Sequence, residues 1–380
     1  MALREEKFDT EVLIVGGGPA GLSAALACQR RGIPAVVVEA QRPGIDKACG
    51  EGLMPDAVAS LKSLGVEIAQ SDGHPFRGIR FLNGRHVVAG RFPEGCGIGV
   101  RRPRLHRLLA ERAQEVGVRV LWETRAQLRG KHVAWIDGNE ITFRYLIGAD
   151  GQASQVRRWA GLDGCRKEFI RYGTRTHYQV RPWSDLVEIY WGATGQFYVT
   201  PVSEDSVCAA FVSREVENCR ENPLAEFPLL ERRLGVAALV SQQRGGVSAT
   251  RRLKRVAADS VALIGDASGS ADAVTGEGLA MSFRQAEALA EAIWSGSLEG
   301  YSRAHERIAR LPQAMGGLML MMDRWPWLQS RAIGGLAASP HLFQELLSVH
   351  VGQESLLKFS MLRGPELGWH LLAGPGGVTT

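Results

Sequence analysis

The stretch Glu11–Glu39, EVLIVGGGPAGLSAALACQRRGIPAVVVE, decides the fold. Residues 11–15 (EVLIV) form a short apolar strand, Pro19 to Arg31 a helix, and Ala35 to Glu39 (AVVVE) a second buried strand, dimensions that fit a parallel sheet. Between the first strand and the helix stands Gly16-Gly17-Gly18-Pro19-Ala20-Gly21, a G-x-G-x-x-G pattern, and Glu39 closes the next strand eighteen residues after Gly21. Each part has a task. Gly16 makes the tight turn, Gly18 lets a pyrophosphate approach the backbone, Gly21 lets helix and strand pack closely, and Glu39 accepts ribose hydroxyls. The positive end of the helix then faces the phosphates. The segment predicts a dinucleotide site.

Composition bounds the rest. At roughly 150 residues per domain, 380 residues predict two or three domains. A chain 45% hydrophobic and 22% charged is neither disordered, collagen-like nor a disulfide scaffold. Its 45 glycines exceed the usual ~7% and mark close backbone approach to a ligand as well as turns. The net charge of +5 is spread along the chain, which argues against a nucleic-acid partner. The cluster Arg101, Arg102, Arg104, Arg107 faces either a phosphate-bearing ligand or solvent. Six cysteines (28, 49, 96, 165, 208, 219) show no CxxC pair, so neither a metal site nor a disulfide framework is expected, and the cytoplasm is the expected compartment. The opening MALREEKFDT lacks the apolar region of a signal peptide, and no run reaches the ~18 apolar residues of a spanning helix.

Further along, Gly78 to Phe92 reads as a hairpin through the Asn83-Gly84 turn. Pro103 to Val116 reads as a helix, and Val118 to Trp122, His132 to Ile136 and Arg144 to Ile147 as strands. Tyr172 to Val212 is strand-rich and aromatic, a second sheet. The strand VALIG (261–265) and the helix Gly278 to Trp294 repeat the opening strand-to-helix pattern, so one domain is built from both ends of the chain with another inserted. The expected division is 8–75, 98–170 and 250–300 for a discontinuous dinucleotide domain, 76–97 and 171–249 for a substrate-binding antiparallel β-sheet domain, and 301–380 for a C-terminal helical region. Within that region Met315 to Ala337 is rich in Met, Trp and Leu. It serves the core or a dimer contact, or else a peripheral membrane contact, a reading weakened by the interruptions at Asp323, Arg324 and Arg331. The GPGG at 374–377 predicts a frayed end.

Two later motifs specify the dinucleotide. Gly148-Ala149-Asp150-Gly151-Gln152-Ala153-Ser154-Gln155-Val156-Arg157 resembles the GADGxxSxVR segment of the p-hydroxybenzoate hydroxylase-like FAD enzymes. Gly265-Asp266-Ala267 with Gly276-Glu277-Gly278 resembles their GDA(x)8GxG segment. The resemblance implies an α/β fold: a Rossmann-type, glutathione-reductase-like FAD-binding domain with an inserted β-sheet domain. It implies FAD contacts from Gly16, Gly18, Pro19, Ala20, Gly21, Glu39 and Ala40, from Cys49, Gly50 and Arg102, and from Asp150, Asp266, Gly276, Glu277, Gly278 and Leu279. NAD(P)H is then a transient reductant, since only one G-x-G-x-x-G unit is present, and part of its encounter falls near Asp150 and Arg157. Independently of the family, a helix opening at Thr275-Gly276-Glu277-Gly278 aims backbone N–H groups at an anion.

Within the superfamily, Gly269 and Ala273 replace the His and Pro of the aromatic hydroxylases. Lys47-Ala48-Cys49-Gly50-Glu51-Gly52-Leu53 resembles the geranylgeranyl reductase-like branch, whose GYxWxFP strand appears in outline as Gly195-Gln196-Phe197-Tyr198-Val199-Thr200-Pro201. The WxWxIP signature of flavin halogenases is absent, the nearest text being Trp325-Pro326-Trp327. Trp191, Phe197, Tyr198, Thr200 and Pro201 are the candidate substrate pocket, and Cys49 and Tyr198 the candidate catalytic side chains. The expected function is an FAD-dependent, NAD(P)H-using monooxygenase of an apolar aromatic or polyketide-like small molecule. The alternatives are a reductase or dehydrogenase acting on a carbon–carbon double bond of an isoprenoid or lipid, and a flavin-binding carrier without turnover.

Overall fold

A computed structural model describes residues 9–373. The frayed end expected at 374–377 lies outside the described residues, as does the first residue of the expected dinucleotide domain. The opening βαβ unit forms as strands Thr10–Val15 and Ala35–Val38 around the helix Pro19–Gln29. That helix is apolar on all sides and buried from Gly21 to Cys28, as a helix between a sheet and another helix must be. Its outer cover is the helix Gly278–Trp294, bonded to it at the rim by Arg30 and Arg31 to Glu287 and Glu291.

The first sheet has a parallel core. Val261–Leu263, Asn139–Gly148, Thr10–Val15, Ala35–Val38 and Arg119–Leu121 run side by side in that order. The strands Ala126–Gly130 and Val133–Ile136 extend the first half of Asn139–Gly148 antiparallel. Buried Val12, Leu13, Ile14, Leu146 and Ile147 fill the middle, each such side chain contributing about 1.5–3 kcal/mol.

A second, nine-stranded sheet collects Arg244–Leu253, Cys165–Gln179, Ser206–Ser213, Gln196–Pro201, Val187–Trp191 and the hairpin Gly78–Leu82/Val87–Arg91. Its pairings are antiparallel except one: Val187–Trp191 runs parallel to Gly78–Leu82, because a long excursion, not a hairpin, joins them. The strands Cys165–Gln179 and Arg244–Leu253 pair along most of their lengths, so residues 170 and 250 fall inside continuous strands. One face of this sheet carries Phe197 and Phe211, and Leu230 and Leu234 of the helix Pro228–Leu234 pack on it. The other carries Phe81, Trp191 and Tyr198 and packs on helices Glu299–Arg324, Pro326–Ala338 and Pro340–His350. Pro326 and Pro340 open the last two of these, where a missing N–H costs nothing.

The close packing at Gly21 is literal: a Cβ there would lie 1.8 Å from the carbonyl oxygen of Gly16. Gly21→Ala is therefore expected to lower the stability of the apoprotein by at least about 1–3 kcal/mol, read as a shifted urea midpoint without a change in slope.

Candidate active site: a glycine cradle opening on an apolar chamber

A cavity of about 1020 Å³ begins at the first glycine loop and ends among the C-terminal helices. At its mouth Gly16 has φ +110, and a Cβ on it would lie 2.4 Å from the Ala149 carbonyl oxygen. A Cβ on Gly18 would meet no atom within 4 Å, because that position faces the cavity. Gly18 caps the helix Pro19–Gln29 without a side-chain bond, leaving first-turn N–H groups open to an anion. Glu39 accepts hydrogen bonds from Gly17 N at 2.7 Å and Gln41 N at 2.8 Å, which aims its carboxylate at the cavity. On the far side, Gly276 at φ +66 turns into the helix Gly278–Trp294, also without a side-chain cap, and Gly276, Gly278 and Leu279 line the wall. Arg102 lines it too, with a buried Nε that has no partner. Open N–H groups at two helix starts, an orphaned guanidinium nitrogen and a side-chain-free approach at Gly18 are the donor set a dinucleotide diphosphate requires. The residues fit FAD.

Pro19, Ala20, Ala40, Cys49, Gly50, Asp150 and Asp266 also border this cavity, as do Tyr198 and Thr200. Asp266 pairs with Lys47 at 3.0 Å. Other expectations need correction. Trp191 shares the face of Tyr198 but packs edge-on against Phe81, centroids 5.9 Å apart, short of the cavity. Phe197 and Pro201 alternate to the other side of their strand from Tyr198, and Phe197 packs at a tilt against Phe211 and edge-on against Phe227. The Glu277 side chain turns inward, to Arg284 Nη2 at 2.9 Å and towards His350 Nε2 at 3.6 Å. Burial, then Asp56, push its carboxyl up to about 8 against the pull of Arg284. Gly21 is structural rather than cavity-lining.

Asp150 and Arg157 are occupied by the fold and leave little for a nicotinamide. Asp150 accepts Gln155 N at 2.6 Å and Val156 N at 3.1 Å, capping the helix Gln155–Trp159. Arg157, 2% exposed, donates to the carbonyls of Ala267 (3.1 Å) and Gln152 (2.7 Å) and to Asp163 (2.6 Å). The second motif thus pins the third.

Several functional residues escaped the sequence reading. His106 is fully buried, accepts Gly44 N at its Nδ1 (3.0 Å) and donates from Nε2 to Gly17 O (2.9 Å), anchoring the glycine loop. Glu51, at φ +60, takes Arg102 N at 2.9 Å and His177 Nε2 at 2.6 Å. Arg175 bonds Asp46 and, at 3.2 Å, His177 Nδ1. Glu51, His177 and Cys208 bring their ligand atoms within 4.8 Å of one another, but these hydrogen bonds already engage the carboxylate and both imidazole nitrogens. The cluster fastens the Cys49–Gly50 loop to the large sheet. Opposite, Arg171 donates to Asp272 at 2.9 Å and to Gln196, and Gln196 to Asp323. The available signal was the run of odd-numbered polar residues, Arg171, Arg175 and His177, on one strand face.

Gly18→Val should abolish flavin retention, measured as bound flavin per protein, while leaving apoprotein melting within about 1 kcal/mol of the parent. Burial, first among its causes, holds each of His106, His305 and His350 at about 4 against an ordinary 6.5. The unfolded chain's histidines then bind more protons between those values, so the contribution of these three to stability, full above about pH 6.5, drains as the pH falls to about 4. A urea midpoint that falls across that window, with a shallower slope in His106→Asn, is the expected outcome.

The family model described as FAD binding domain matches residues 9–298. Menaquinone reductase of Mycolicibacterium smegmatis is 52% identical over 56 residues, 15% of this chain and 14% of its own length. The 6-methylpretetramide 4-monooxygenase of Streptomyces rimosus is 38% identical over 114 residues, 28% of this chain and 27% of its own. The 3-(3-hydroxy-phenyl)propionate/3-hydroxycinnamic acid hydroxylase of Mycobacterium avium is 37% identical over 98 residues, 25% of this chain and 17% of its own. The chain thus matches less than a third of the length of each of these curated relatives. Among solved structures, a flavoprotein/dehydrogenase from Cytophaga hutchinsonii superposes with TM-score 0.78 at 19% identity, covering 95% of this chain and 96% of that one. A flavin-dependent brominase gives 0.77 at 18%, covering 94% and 98%. A geranylgeranyl bacteriochlorophyll reductase-like protein from Thermoplasma acidophilum gives 0.66 at 22%, covering 95% and 98%. Those identities establish likeness of fold alone. With most of its length under the FAD-binding model and all three motifs in place around one cavity, this chain belongs to the p-hydroxybenzoate hydroxylase-like family of FAD-binding flavoproteins.

Proposed function

We propose that the protein is an NAD(P)H-dependent monooxygenase that hydroxylates an apolar aromatic or polyketide-like small molecule. The observation that carries this reading is the continuity of one cavity: the glycine cradle runs without a break into a chamber walled by Phe81, Ile189, Tyr198, Met319, Met322 and Phe343. FAD, when bound, supplies hydride acceptance from NAD(P)H and reaction with dioxygen. The chain's own part is to bind, orient and exclude water. The apolar wall admits a ligand of like polarity and keeps bulk water from the reacting centre. Tyr198 is the polar handle on that wall: its hydroxyl is buried without a partner, and burial keeps the phenol protonated, a ready donor to one substrate oxygen. The uncapped start of the helix Gly278–Trp294 favours negative charge beside it, and burial raises the Glu277 carboxyl beneath that loop, which disfavours a second negative charge there.

A second reading is favoured by Cys49 standing on the cavity wall beside Gly50 and by the stretch shared with menaquinone reductase: reduction of a carbon–carbon double bond in an isoprenoid or lipid. Anaerobic reduction by NADPH and NADH with a panel of apolar ligands, followed by mixing with ¹⁸O-labelled dioxygen, separates the two. Label in the product is the expected result. Anaerobic loss of a substrate double bond would transfer the assignment to the reductase. Flavin that neither nucleotide reduces with any ligand would leave only a carrier. Tyr198→Phe should raise KM about five-fold, the worth of one neutral hydrogen bond, with flavin content unchanged.

A further inference from the structure

The outermost helix, Leu356–Ala373, is built inside out. Phe359 is buried and Leu367 and Leu371 pack on the core, yet Leu357, Met361, Trp369 and Leu372 point outward, 71%, 71%, 65% and 80% exposed. A surface helix ordinarily turns its polar side to water. The exposed stripe includes one charge, Lys358, and no carboxylate. The patch continues onto the neighbouring helix: Trp327 is 60% exposed, and Arg331 sits 5.9 Å from its ring while donating to the carbonyls of Leu371 at 3.1 Å and Leu372 at 3.4 Å. Met321 and Trp325 extend it at the end of the preceding helix.

We propose that this face docks on a lipid bilayer bearing anionic headgroups and that the apolar substrate enters from it. Charge argues for that occupant. Among the described residues neither Arg324 nor Arg331 pairs with a carboxylate, and both border tryptophans, the arrangement of a helix lying in an interface with its rings at headgroup depth. A second copy meeting the same patch about a two-fold axis would bring Arg324 and Arg331 towards their own images, while Lys358 is paired with Glu354 at 3.2 Å. Among the described residues no helix is long and apolar enough to cross a membrane, so the helix lies on the surface. Behind it stands the chamber. The helices that expose Trp325 and Trp327 give Met319, Met322 and Leu336 to the cavity wall, and the helix Leu356–Ala373 packs on the outside of that layer, so the tryptophan margin of the patch belongs to the helices that wall the chamber. The substrate-entry half of this inference rests on the function proposed above. The docking half does not.

The test is sedimentation of the full-length flavin-loaded protein with vesicles of phosphatidylcholine alone and of phosphatidylcholine with roughly a third phosphatidylglycerol, with no substrate present. Pelleting with the anionic vesicles is expected. The variant Leu357→Gln/Met361→Gln/Trp369→Gln/Leu372→Gln should bind them roughly ten-fold more weakly with unchanged flavin content and melting, because those side chains are exposed. Arg324→Glu/Lys358→Glu should weaken the anionic binding several-fold. A protein that stays in the supernatant with both vesicles overturns the proposal. So does a dimer, seen by light scattering, that the four-residue variant dissolves. Vesicle binding without oxygenation or reduction of any ligand would refute the proposed function and leave the docking face intact. Turnover of dispersed ligands by a protein indifferent to vesicles would do the reverse.

Discussion

Backbone meeting backbone at residues 16–21 and 148–150 is the constraint on which the rest of the site depends. The carbonyls of Gly16 and Ala149 occupy the space that Cβ atoms on Gly21 and Gly16 would need. Two strands and a helix can therefore converge on one point and still leave N–H groups facing outward. His106 secures the loop from behind through the Gly17 carbonyl. The third element is brought to the same place by Arg157, whose bond to the Ala267 carbonyl ties the turn after Val261–Leu263 to the turn after Asn139–Gly148. The three sequence motifs are one structure.

One strand of the large sheet then fixes both walls of the cavity. From Cys165–Gln179, Arg171 reaches Asp272 and holds the turn that leads into Gly276, while Arg175 and His177 reach Asp46 and Glu51 and hold the loop carrying Cys49. Gly173 and Thr174, between them, border the cavity themselves. Buried ion pairs add little net stability, since desolvation consumes much of the attraction, but losing one partner costs about 3–5 kcal/mol. Their worth here is positional: they place two loops from distant parts of the chain against one cavity.

What the sequence made legible follows from this. The opening βαβ unit and the helix Gly278–Trp294 were readable because apolar periodicity and glycine sterics act over a few residues. The ion-paired clamps were not, because Arg171, Arg175 and His177 find partners 101, 129 and 126 residues away. Their shared strand face was the one local signal, and it does not say which partners they find. Phe197 was misread for a different reason: an aromatic strand offers alternate faces, and only the pairing partner says which face meets the cavity. The carboxyl of Glu277 belongs to the same class, since its loop position was readable and its inward turn was not.

The segment Met315–Ala337 joins local and distant effects. Read as a continuous run, it had to be either core or surface, and Arg324 and Arg331 counted against a membrane. The break at Trp325-Pro326 removes that choice. Residues before and after it turn Met315, Met322, Ile333 and Leu336 inward, while the tryptophans at the break stay outside with the two arginines beside them. Cations at the margin of an apolar face are no obstacle to an interface, because their long stems let the charge remain with the headgroups while the rings descend. An apolar ligand has little tendency to cross water to a buried chamber. The helices that wall the chamber also carry the tryptophan margin of the apolar outer face, and a ligand entering there stays against apolar side chains.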